Sequence, residues 1–134
     1  MSEQSFARKV ADQMLAAETE TQIAEQKTAL ERNPAWAEGH YHLAQLYRVH
    51  NAHRGDAKRE LLNALELKPS LAEAHVALGE IYIAEADFQR AREHAAYAAQ
   101  FGDARLLEQF KRYDQDAPPE ATSPDRQVDN TNSR

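Results

Sequence analysis

Apolar side chains recur along this chain at three- and four-residue intervals, and charged or amide side chains fill the positions between them. Leu43, Leu46 and Tyr47, then Leu61, Leu62 and Leu65, show the spacing, which lines up on one stripe of an α-helix and not on one face of a strand. The residues between them are mostly Ala, Glu, Gln, Lys and Arg, all good helix formers. Caps and stops interrupt the pattern at Glu18 to Thr21, Asn33-Pro34, Asn51 to Gly55, Lys68-Pro69-Ser70, Ala86-Asp87 and Phe101-Gly102-Asp103. The expectation is an all-α chain of about seven helices, near residues 4–17, 21–32, 35–49, 56–67, 71–84, 87–100 and 104–114.

The pattern also repeats. At an offset of 35, Pro34 aligns with Pro69, Ala37 with Ala72, Glu38 with Glu73, His40 with His75, Leu43 with Leu78 and Tyr47 with Tyr82. The offset falls to 34 in the following helix, where Ala57 matches Ala91 and Ala64 matches Ala98, so the loop around Asn51 to Gly55 is one residue longer in the first copy. Ala29-Leu30 and Pro34 match Ala64-Leu65 and Pro69, which suggests a third, more divergent copy at the start. In each copy a Leu and a Tyr one turn later should bury against the partner helix, with Ala44 or Gly79 allowing close approach. The alanines of each second helix are small where another helix packs on them. One helix pair cannot bury both of its faces, so stacking is expected.

These residues resemble the tetratricopeptide repeat family, whose pattern places a Trp, Leu-Gly, Tyr, Ala, Phe and Pro over 34 residues. The better copy reads His75, Leu78-Gly79, Tyr82, Ala91, Ala95 and Ala98, and the other reads His40, Leu43-Ala44, Tyr47, Ala57, Leu61, Ala64 and Pro69. Both put His where the family usually has Trp, and the N-terminal copy departs further at Gln22 and Gln26. The resemblance spans residues 3–103. It implies a right-handed superhelical solenoid of antiparallel helix pairs, with repeats at about 3–34, 35–70 and 71–103. Leu106, Leu107, Phe110 and Tyr113, at helical spacing, then suit a capping helix over 104–114.

The same resemblance implies a concave groove lined by the first helices, in which a segment of a partner protein lies. Carried over position by position, its lining would be Tyr41, His42, Gln45 and Arg48 in the middle repeat and Val76, Ala77, Glu80 and Ile83 in the last. Arg8, Asp12 and Leu15 would join if Val10 stands in for the first Leu. Some relatives grip a chaperone C-terminal carboxylate with Lys and Asn; here Tyr41, Gln45, Val76 and Glu80 occupy those places, so no such clamp is expected. Tyr41 and Arg48 are instead the side-chain types that dominate binding energies at interfaces. Trp36, next to Pro34, should seat the start of its helix.

Composition narrows the function classes. The 134 residues carry a formal charge of −6 with a pI near 5.5, which disfavours non-specific nucleic-acid binding. The absence of cysteine removes disulfides, thiolate metal sites and cysteine nucleophiles. No signal-like or membrane-spanning run is evident, so a cytoplasmic location is expected. Residues 115–134, rich in Pro, Ser, Thr, Asn and Gln, are expected to be a disordered tail. Six histidines invite a metal hypothesis, but His40 and His42 point to different helix faces, and His50 and His53 fall at a helix end and in a loop. No metal, cofactor or catalytic residue is therefore expected. The functional expectation is a non-enzymatic adaptor that binds a peptide segment of another protein. The alternatives are a homo-oligomer assembled through solenoid ends or the terminal helix, and a chaperone for an apolar secretion substrate.

Overall fold

A computed structural model describes residues 3–50 and 53–116. They form six α-helices: α1 (Glu3–Arg32), α2 (Ala37–Val49), α3 (Arg54–Leu67), α4 (Ala72–Ala84), α5 (Phe88–Gln100) and α6 (Arg105–Asp116). The fold is all-α. Each helix packs on its chain neighbours, with α2 against α3 and α4 against α5 as the two tightest pairs. No described helix is long and apolar enough to cross a membrane.

The N-terminal repeat expected over 3–34 is not a helix pair, and the count is six helices instead of seven. The expected break at Glu18 to Thr21 contains weak helix formers but no Gly or Pro, and the helix runs through it. Thr19 and Thr21 donate their hydroxyls back to the carbonyls of Leu15 and Ala17, within the helix itself. The resulting 30-residue rod is roughly 45 Å long at 1.5 Å per residue. Only its second half packs: Thr19, Ile23 and Leu30 are buried, whereas Phe6, Val10, Met14 and Leu15 are exposed. At the other end α6 extends to Asp116, two residues into the stretch expected to be a tail. The remainder of that tail, 117–134, lies outside the described residues.

The two repeat copies fold as their alignment implies. Leu43, Tyr47, Leu78 and Tyr82 are buried, and Ala44, Ala57, Ala64, Ala91 and Ala98 are fully enclosed. One core cluster joins α3, α4, α5 and α6 around Leu61, Leu71, Leu78, Leu106 and Phe110. A second ties α1 to the first pair through Ile23, Leu30, Leu43, Tyr47 and Ala57. Gly79 is bare chiefly to admit Leu106 of α6, since a Cβ there would collide with that side chain before touching the partner helix α5. The capping helix is thus seated on the last pair by a glycine.

The turns are closed differently. Asp87 caps α5 by accepting a hydrogen bond from the Arg90 backbone N–H at 3.2 Å. Ahead of it, Ala86 sits at φ 61°, and the Asp87 N–H reaches back to the Tyr82 carbonyl at 2.8 Å. Gly102, at φ 107°, makes the equivalent turn between α5 and α6, where the Asp103 N–H reaches the Ala98 carbonyl.

Candidate functional site

The equivalent histidines of the two copies, His40 and His75, are structural pins. His40 Nε2 lies 2.9 Å from the Pro34 carbonyl, and His75 Nε2 lies 2.8 Å from the Pro69 carbonyl. Each ring thereby donates to the turn that opens its own helix. The second nitrogen reaches the partner helix: His40 Nδ1 is 2.6 Å from Glu60 Oε2, and His75 Nδ1 is 3.1 Å from His94 Nδ1. Glu60 and His94 are themselves 34 positions apart, so this contact is repeated with its chemistry changed. Burial, and then the neighbouring His75, hold the His94 imidazole below its ordinary value. With Tyr97 tilted and Phe101 stacked against His75, this end of the last repeat is a largely aromatic seam.

These pins orient the outward faces of α2 and α4, between which and α6 a cleft of about 310 Å³ opens. From α2 come Tyr41, Gln45 and Arg48; from α4 come Glu73, Val76, Ala77 and Glu80; and from α6 come Arg105, Leu106 and Gln109. Ala77 and Leu106 are buried and form its floor. Arg48 braces the two helices, donating to Gln45 Oε1 at 3.0 Å and to Glu80 Oε1 at 3.3 Å. Arg105 is held at the rim by Asp103, with nitrogen–oxygen distances of 3.0 and 2.7 Å. The same guanidinium keeps the Asp103 carboxyl below its usual range. Burial, and then the Glu73 carboxylate, push the Tyr41 phenol above its usual value, so it stays a protonated donor at neutral pH. The cleft therefore presents donors and acceptors of both signs around an aliphatic floor.

Of the groove residues expected from the resemblance, the structure brings together Tyr41, Gln45, Arg48, Val76, Ala77 and Glu80. His42 is exposed beside the cleft, with its ring 5.5 Å from that of Tyr41 and 6.4 Å from that of Trp36. Ile83 is exposed one turn beyond the lining. Arg8, Asp12 and Leu15 lie on the exposed half of α1 and do not line the cleft, because the hairpin that would have folded them towards it does not form. Sequence reasoning missed Glu73, Arg105, Leu106 and Gln109. The three α6 residues belong to a helix read only as a cap, although its first turn also makes a wall. The signal for this was present: Gly79 in the last repeat, bare where the middle one has Ala44, marks the spot on which Leu106 lands.

Trp36 covers the backbone of Gly39, where a Cβ would strike its indole and Leu30. Gln26 of α1 donates to the Gly39 carbonyl at 3.0 Å, which fixes α1 to the same spot. Away from the cleft, metal-ligating atoms converge at Glu20, His50 and His53.

No protein-family model matches this chain. Comparison with curated proteins also gives no match.

Proposed function

We propose that this chain is a protein-interaction module of the tetratricopeptide type, which binds a short peptide segment of a partner protein in the cleft between α2, α4 and α6. The observation that carries the reading is the cleft itself. It is preformed, braced across helices by Arg48 and Glu80, and lined by Tyr41 and two arginines, side chains suited to anchoring a partner. Its size suits a few side chains of an extended segment, with an aliphatic residue over Val76 and Leu106 and charged residues of either sign beside it. A peptide-display selection against the full chain tests the reading. Selected peptides should lose binding to Tyr41→Ala and Arg48→Glu and keep it with His42→Ala. Peptides that bind all three variants like the wild type would place recognition elsewhere and defeat the proposal.

A second reading, self-assembly, is favoured by one specific observation. Phe6, Val10 and Met14 are 63%, 37% and 68% exposed and recur every fourth residue, a single apolar stripe on the free half of α1. Two copies could pair these stripes symmetrically. Light scattering across a concentration series should then show a dimer that Phe6→Glu with Met14→Glu dissociates. A wild-type monomer at every concentration excludes this reading.

A further inference from the structure

From the side chains that converge beside α1, we infer that Glu20, His50 and His53 form a binding site for a divalent cation of the zinc class. Glu20 comes from the middle of α1, and the two histidines follow the end of α2 and precede the start of α3. His53 Nε2 lies 2.7 Å and His50 Nε2 3.6 Å from the same carboxylate oxygen, Glu20 Oε1. All three potential ligand atoms lie within 4.8 Å of one another. In a tetrahedral zinc site with bonds of about 2.0–2.2 Å, neighbouring ligand atoms stand roughly 3.3–3.6 Å apart. The separations from Glu20, 2.7 and 3.6 Å, lie near that range and the two histidines are within 4.8 Å of each other, so small side-chain shifts would complete the coordination.

The donor chemistry selects the cation. Two imidazoles and one carboxylate suit zinc and its first-row neighbours, whereas calcium and magnesium take oxygen ligands. Three protein ligands leave a fourth position, and the half-exposed Glu20 opens it to solvent. His53 is also oriented from behind. Its Nδ1 faces Asp56 Oδ2 at 3.3 Å, and Asp56 Oδ1 is held in turn by Arg59 at 3.0 Å. A proton on Nδ1 shared with Asp56 leaves the Nε2 lone pair for the metal, the arrangement by which a carboxylate behind a ligating histidine sets its tautomer. The Tyr47 ring lies 5.0 Å from that of His53, and the two histidine rings are 5.1 Å apart, so His53 rests between a buried aromatic and the other imidazole.

The location gives the site a consequence. Glu20 follows Thr19, the first buried residue of α1, so a bound cation would clamp α1, where its free half begins, to the facing ends of α2 and α3. None of these residues lines the cleft, and the site stands or falls independently of peptide binding there.

Calorimetric titration of zinc chloride into the untagged, chelator-stripped full chain tests the inference, with thermal melting as a second readout. The wild type should bind one zinc per chain and melt at a higher temperature with zinc than without. Glu20→Gln and His53→Gln should each weaken binding by at least about tenfold, Asp56→Asn should weaken it by about tenfold, and His42→Gln should leave it unchanged. Glu20 is a half-exposed helix residue, so Glu20→Gln should keep the fold, and its circular dichroism checks this. Absence of one-to-one binding, or equal affinity in wild type and Glu20→Gln, overturns the proposal.

Discussion

The pairs α2/α3 and α4/α5 have nearly the same backbone plan and solve two packing problems with different side chains. At the start of the first helix, Trp36 lies over Gly39 in one copy, and Leu71 and Ala74, both buried in one cluster, take those positions in the other. A large ring beside a bare backbone in one copy corresponds to a smaller side chain and a methyl group in the other. At the histidine pin, His40 meets a carboxylate, Glu60, whereas the equivalent His75 meets an imidazole, His94. The two copies keep the same contacts with different residue types, and one position on the second helix decides whether the histidine pin meets a carboxylate or an imidazole.

The largest effect should come from the shared core. Leu43→Ala and Leu78→Ala remove equivalent side chains, 2% and 0% exposed, and each should cost about 2–5 kcal/mol in denaturant unfolding. Leu78 should sit at the upper end, because its cluster also includes Leu106 and Phe110 of α6. Equal losses would mean that α6 adds nothing to the last pair.

The exchange of volumes can be broken and repaired. Gly39→Ala drives a methyl group into Trp36 and Leu30, and should cost about 1–2 kcal/mol because overpacking outweighs the gain in helix propensity. Adding Trp36→Leu, which copies the Leu71 and Ala74 arrangement, should restore most of the loss. A double variant no better than the single would show that the two solutions are not interchangeable.

The turns offer a smaller effect of opposite sign. Ala86 holds a left-handed conformation at φ 61° that Gly102 adopts without a Cβ penalty. Ala86→Gly should therefore stabilise the protein by about 1 kcal/mol, seen as a raised melting midpoint.

The last test reads the histidine seam through pH. Folding keeps His94 neutral below its ordinary value of 6.5, so the unfolded chain takes up a proton that the folded chain resists. Stability linked to His94 is thus whole above about pH 6.5 and is lost as pH falls towards the depressed folded value. His94→Gln should flatten that acid-side loss. Denaturant melts of the wild type and His94→Gln between pH 5 and pH 8 check this, and identical profiles would remove His94 as the source of the acid-side loss.

Much of this architecture was legible along the chain because it is written in local periodicity and self-similarity. Helical spacing, the 35- and 34-residue offsets, and the alternation of leucines, tyrosines and alanines determined an all-α fold and the last two of the three pairs expected, and the resemblance those positions carry implied six of the cleft residues. The first repeat could not be read in the same way. A weak helix former breaks a helix only when tertiary contacts reward the break, and Thr19 instead turns its hydroxyl to the Leu15 carbonyl and buries against the body. Only the tertiary structure therefore decided that α1 is one rod and that the first turn of α6 walls the cleft. It also decided that Glu20 meets two histidines some thirty residues further along. Such meetings depend on how helices pack in space, which no local spacing encodes.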